Sequence, residues 1–209
     1  ESQKNQEYSQ GFAKVRKAPN VPLLIQELLM LAKRYQLADK TFMYPGSPAI
    51  IAAKLRKQDQ AVFIEGHPQA YLQLTKNFGN IPQIHLHKRD GKEAINALIP
   101  FVERRGLVFI DPSYEVKDEY QSISKLILQA IKKFPQGIYM LWYPLLPEFR
   151  HNVLLEVLQT PNSNIWRDEL ILPNSIGTGM YGSGIVIINP PWRLTAMVKE
   201  SLQFLQQLF

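Results

Sequence analysis

From Ser47 onward, short apolar runs of strand length alternate with helix-length segments, and this alternation limits the possible folds more than any other feature of the chain. The pattern predicts a helix near Pro48–Leu55, a strand Ala61–Glu65, a helix Pro68–Phe78 and a strand Ile84–Lys88. It continues with a helix Lys92–Val102, a strand Gly106–Ile110, a long helix near Lys117–Phe134 and a strand Gly137–Tyr143. Parallel strands cannot be joined by a tight turn and need a crossover, usually a helix. The expected fold is therefore α/β, a mostly parallel sheet with helices on both faces. After a helix near Glu148–Leu158, two strands around Glu169–Leu172 and Ile185–Asn189 lie close together and precede a terminal helix Arg193–Leu208. A short connection of that kind suits an antiparallel pair at one edge of the sheet.

Up to about Tyr44 the pattern is helical only, with Val21-Pro22-Leu23-Leu24-Ile25 leading into Leu28, Leu29, Leu31 and Ala32. We expect residues 1–44 to form a helical subdomain and 45–209 the α/β domain. A chain of 209 residues, 45% hydrophobic, can bury a full core. Its net charge of +6 and pI near 9.4 favour a polyanionic partner such as nucleic acid, although solvated basic faces would give the same balance. With no cysteine, disulfides and thiolate metal sites are excluded, and a reducing, cytoplasmic compartment is expected. No apolar run approaches the roughly 18 residues of a membrane helix, and the polar start Glu1-Ser2-Gln3-Lys4-Asn5 is no signal peptide.

Three successive strands run out into an acid: Glu65 after Ala61–Ile64, Asp90 just past Ile84–Lys88, and Asp111 after Gly106–Ile110. In an open α/β sheet such strand ends share one edge, where ligands bind. At about 4.8 Å between neighbouring strands, three carboxylates would line a cleft about a nucleoside in length. Glu65 suits a ribose, since a carboxylate accepts two hydrogen bonds from a vicinal diol. Asp90 suits an adenine amine, and Gly91 would let backbone approach closely. The competing explanation is that these acids are helix N-caps.

Asp111-Pro112-Ser113-Tyr114 carries the chemistry. The exocyclic amine of a nucleobase is a poor nucleophile because its lone pair is conjugated with the ring. A carboxylate and a nearby backbone carbonyl can accept both of its N–H bonds, while an aromatic face stacks on the base. Asp111 would supply the carboxylate, Pro112 the carbonyl and Tyr114 the ring. Asn189-Pro190-Pro191-Trp192 is a rival with an amide, a rigid turn and a ring, but it follows the last strand, away from the other acids. Gly177-Thr178-Gly179-Met180-Tyr181-Gly182 matches a phosphate-loop spacing, yet it precedes a strand and lacks a following helix N-terminus. His85 and His87 share a strand face without an evident third ligand, so no metal is expected. Basic clusters at Lys14–Lys17, Lys33-Arg34, Lys54–Lys57 and Lys132-Lys133 could track a phosphate backbone or be solvated helix faces.

From about Tyr44 to Leu194 the chain resembles the RlmJ-type 23S ribosomal RNA (adenine-N6) methyltransferases. The blocks that carry the resemblance are Tyr44-Pro45-Gly46-Ser47-Pro48, Glu65-Gly66-His67-Pro68, Asp90-Gly91, Arg104-Arg105-Gly106-Leu107, Ile110 to Glu115, Gly137 to Pro144 and Ile188 to Trp192. The resemblance implies a class I, Rossmann-like fold that uses S-adenosylmethionine, with a helical insertion before Tyr44. Carried over by position, Ser47, Glu65, Asp90, Gly91 and Asp111 would contact the cofactor, and Asp111 would also be the catalytic acceptor. Two departures stand out. Ser113 replaces the second proline of the family's Asp-Pro-Pro-Tyr, which leaves the turn less rigid. The family's first strand and glycine-rich cofactor loop have no counterpart; because the chain begins at Glu1 and not Met, they are expected upstream, and the 209 residues alone are expected to be inactive.

The sequence thus points to S-adenosylmethionine-dependent methylation of adenine N6 in 23S ribosomal RNA, with no metal. A DNA-adenine methyltransferase is the nearest alternative, because the motif grips an extruded adenine without reading its sugar. A non-catalytic nucleic-acid-binding protein linked to use of external DNA is the alternative from another class. Oligomeric state and target nucleotide are not encoded in these motifs.

Overall fold

A computed structural model describes residues 11–35, 44–114, 118–159, 164–172 and 179–209. They form two compact units, Glu1–Ala94 with Leu208, and Ile95–Gln207 with Phe209. The division expected near Tyr44 falls inside the first unit.

The first unit opens with helices α1 (Phe12–Lys17) and α2 (Leu23–Lys33), followed by α3 (Ser47–Lys54), β1 (Ala61–Ile64), α4 (Pro68–Phe78), β2 (Ile84–His87) and the start of α5 (Gly91–Leu98). Prolines mark the helix starts, with Pro48 and Pro68 in the first turns of α3 and α4, where a missing N–H costs nothing. β1 and β2 pair in parallel, Ala61 opposite Ile84 and Ile64 opposite His87. Ala61 and Phe63 face inward and Val62 outward, the period-2 signature of a half-covered strand. Their partners are Ala49 from α3, Phe78 from α4 and Ile84, with the Phe63 and Phe78 rings edge-on at 5.6 Å.

The second unit contains β3 (Leu107–Ile110), α6 (Glu119–Lys133), β4 (Ile138–Leu145), α7 (His151–Leu158), β5 (Ile165–Ile171), β6 (Gly182–Ile188) and α8 (Leu194–Leu208). Its sheet has the order β3-β4-β6-β5. β3 and β4 are parallel, and β6 is antiparallel to both β4 and β5, giving the antiparallel pair at one edge. α6 buries Tyr120, Ile123, Ile127 and Ala130 at three- and four-residue spacing. They meet Tyr139, Leu141, Tyr143 and Leu145, the alternate residues of β4, together with Leu154 and Leu158 of α7. Each such leucine or isoleucine contributes about 1.5–3 kcal/mol of transfer free energy. Gly184 is required where it stands, because a Cβ there would overlap the Tyr143 ring.

Element boundaries depart from the sequence reading in several places; α7 starts at His151 and not Glu148, and β4 runs on to Leu145 and not Tyr143. α5 stops at Leu98 and not Val102, since Pro100 cannot continue a helix. β5 begins at Ile165 and not Glu169, and β6 at Gly182 and not Ile185, because seven cross-strand pairs from Ile165↔Ile188 to Ile171↔Gly182 hold the ladder through the charged and glycine positions. Of the expected helix starting at Lys117, that residue lies outside the described residues, and the helix runs from Glu119.

Candidate active site

Asp111 directly follows β3, and its carboxyl accepts no hydrogen bond from the described residues. The residue is exposed, yet nearby protein mass desolvates the carboxyl enough to raise its pKa above the ordinary carboxylate value. These two observations describe a group at a rim, open on one side and backed by protein on the other. The following helix begins only at Glu119, with Asp118 as its N-cap, so Asp111 does not cap it. No described backbone N–H donates to the Pro112 carbonyl. Among the described residues, two acceptors without a donor therefore sit one residue apart at a strand end.

Tyr114 follows a different pattern. Its backbone is left-handed, with φ 54°, a region that a bulky residue occupies only at a cost of about 1–3 kcal/mol. The ring is 6% exposed, and its hydroxyl donates to the Trp142 carbonyl at 2.8 Å. It lies 4.5 Å from the Tyr120 ring and 6.3 Å from that of Trp142. Burial, followed by the neighbouring Tyr120 and Asp111, pushes its pKa far up, so the hydroxyl stays a donor. Stacking on a base calls for an open ring face, and the structure gives Tyr114 a buried one. Sequence reasoning missed Trp142 and Tyr120 as neighbours of the motif. The signal for Tyr120 was present in the inward stripe that it begins on α6.

The core that holds Tyr120 and Tyr143 also carries polar groups. Tyr143 donates to Glu169 Oε1 at 2.8 Å and stacks on the His151 ring at 5.8 Å. The Tyr120 hydroxyl and His151 Nδ1 are both buried without a hydrogen-bond partner among the described residues. Desolvation lowers the His151 pKa, keeping the imidazole neutral.

The remaining acids stand in the first unit. Glu65 follows β1, and its backbone N–H donates to the His87 carbonyl at 3.1 Å, so the ends of β1 and β2 are level. Glu65 Oε1 accepts the His67 N–H at 2.7 Å, and Asp90 Oδ1 accepts the Glu93 N–H at 2.9 Å. Asp90 thus caps α5, as the competing explanation for these acids holds, while each carboxylate keeps its second oxygen. A Cβ at Gly91 would meet nothing within 4 Å, leaving space for backbone to approach a ligand. Ser47 opens α3 just after Gly46, with Pro48 in its first turn.

The rival Asn189 uses its side-chain amide internally, donating to the Pro135 and Gly137 carbonyls at 2.7 and 2.8 Å. Gly177 and Thr178 lie outside the described residues; Gly182 of the same motif starts β6. His85 Nε2 sits 3.0 Å from Gln60 Oε1. Among the described residues, no group of three or more His, Cys, Asp or Glu is placed to hold a metal, and no helix is long and apolar enough to cross a membrane.

Comparison with known proteins bears on this arrangement. The chain is 35% identical to Ribosomal RNA large subunit methyltransferase J of Escherichia coli (strain K12) over 201 residues, 95% of this chain and 72% of the relative. It is 36% identical to the protein of the same name from Haemophilus influenzae over 208 residues, 98% of this chain and 74% of that one. A crystal structure of protein LPL1258 from Legionella pneumophila superposes with a TM-score of 0.90 at 37% identity, covering 97% of this chain and 76% of that chain. The match to the family described as Ribosomal RNA large subunit methyltransferase D, RlmJ, extends over residues 1–209, and the chain belongs to that methyltransferase family.

Proposed function

We propose that the protein methylates N6 of an adenine in 23S ribosomal RNA, using S-adenosylmethionine on a class I, Rossmann-like sheet. Asp111 carries this reading: among the described residues it alone of the three strand-end acids has no hydrogen bond to its carboxyl, and the Pro112 carbonyl next to it in the chain accepts none from them either. The two acceptors take the two N–H bonds of the adenine amine, holding the nitrogen lone pair toward the methyl donor. The donor, when bound, supplies an electrophilic methyl group on a sulfonium. The free second oxygens of Glu65 and Asp90 suit a ribose diol and an adenine amine, and the open position at Gly91 and the helix start at Ser47 fit the same cofactor.

Tyr114 contributes by holding the turn, its hydroxyl fixed on the Trp142 carbonyl, while a base that stacks on its ring needs that ring to swing out. The protein acts in the cytoplasm on RNA or an assembling particle.

The test is methyl transfer from labelled cofactor by the full-length protein. Large-subunit ribosomal RNA should be labelled on adenine N6, and Asp111→Ala should lose the label while keeping the fold. Equal labelling of DNA would favour the DNA-adenine alternative; unchanged turnover in Asp111→Ala would remove Asp111 from the mechanism.

A further inference from the structure

The edge of the second unit opposite Asp111 has a character of its own. There β3 and β4 begin and β6 ends: the Ile138 N–H donates to the Gly106 carbonyl at 2.9 Å, and Tyr139 of β4 pairs with Ile188 of β6. Asn189 fastens the segment after β6 to this edge through its bonds to Pro135 and Gly137. Three segments consequently converge, 101–106 before β3, 132–138 from the last residues of α6 to the first of β4, and 189–193 after β6. They carry Arg104, Arg105, Lys132, Lys133 and Arg193, all exposed, and their one acid is Glu103. None of the five cations forms an ion pair among the described residues; Lys133 reaches a backbone carbonyl, that of Asn96, at 3.3 Å.

Trp192 stands among them and is 85% exposed. Tryptophan is among the most buried residues on average, so a ring this open is unusual. The Arg193 guanidinium lies 4.4 Å from its centroid. The proline pair Pro190-Pro191 and the bonded Asn189 just before it hold the ring out without a flexible stem. A cation against an aromatic face, set among unpaired arginines and lysines, is how proteins grip unpaired nucleic acid: bases stack on the ring and phosphates meet the cations.

We propose that this edge is a second RNA-contact surface, with Trp192 stacking on an unpaired base and Arg104, Arg105, Lys132, Lys133 and Arg193 taking the flanking phosphates. The proposal rests on the ribosomal RNA reading above. The distance from Gly106 to Asp111 along β3 is about 17 Å, so this surface engages RNA away from the target adenine and adds affinity without entering the chemistry.

The test uses the full-length protein and a labelled transcript of large-subunit ribosomal RNA. Trp192→Ala should weaken binding about tenfold, and Trp192→Phe should recover most of the loss, because stacking needs only an aromatic face. Arg104→Gln with Arg105→Gln should lower the slope of log affinity against log salt by about 0.7–0.9 per charge. Cofactor affinity, measured by calorimetry on the same proteins, should not change. RNA affinity within twofold of wild type in Trp192→Ala, with wild-type methyl transfer intact, would overturn the surface and leave the proposed function standing. So would protection of Trp192 from iodide quenching in the free full-length protein. A wild-type protein that binds no RNA would overturn both.

Discussion

Tyr114→Phe separates two roles for the motif's aromatic residue, because it removes one oxygen and keeps the ring. The lost bond is the 2.8 Å contact to the Trp142 carbonyl, made by a residue whose ring is 6% exposed. A neutral hydrogen bond contributes a net ~0.5–1.5 kcal/mol, and a buried carbonyl left without that partner costs ~1–3 kcal/mol. The left-handed backbone at φ 54° is then held by ring packing alone. We expect a loss of about 1–2 kcal/mol, read as a fall in Tm of roughly 3–6 °C for a chain of this size. Turnover should drop about tenfold as the Asp111-Pro112 turn loosens, with cofactor affinity unchanged. The assays are thermal unfolding and single-turnover methyl transfer by the full-length protein. If the variant matches wild type in both, the hydroxyl anchors nothing, and stacking by the ring is the whole contribution of Tyr114.

Asp111→Asn should be inactive yet slightly more stable than wild type at neutral pH. Desolvation raises the native pKa, so the folded state holds the proton more tightly, and stability falls as pH rises between the unfolded and folded values; chemical denaturation of both proteins at pH 7 checks the sign. For the same reason the activity of the wild type should decline on acidification at a higher pH than an ordinary aspartate would give. His151 shifts in the opposite direction: below the unfolded value of 6.5 the unfolded chain takes up a proton that the buried imidazole refuses, so stability falls as pH drops, and His151→Gln should flatten that slope. Gly184→Ala should cost about 1–3 kcal/mol, since its Cβ displaces the Tyr143 ring; a denaturation midpoint equal to wild type would show that the ring shifts freely.

The strand–helix alternation was legible because most elements carry a pure signal, as in Phe63 flanked by Val62 and Ile64, or the stripe from Tyr120 to Ala130. β5 was not legible in full, because Arg167-Asp168-Glu169 breaks any apolar alternation on an edge strand whose ladder comes from β6. Gly182 and Gly184 hid the start of β6 for a related reason: glycine weakens a strand by propensity and is kept here by contacts with Leu170 and Tyr143 that only the tertiary fold reveals. Asp111 could be read as an acid at a strand end from local order alone. The withdrawal of Tyr114 could not, since it depends on a carbonyl 28 positions further along the chain.

Among the described residues, β3 has β4 as its one hydrogen-bonded neighbour, and it is four residues long. Among the described residues, the peptide groups of β3 that face away from β4 join no ladder. Placement of the carboxylate is accordingly coupled to whatever occupies that open side: a parallel strand docked there would stiffen the acid without touching it.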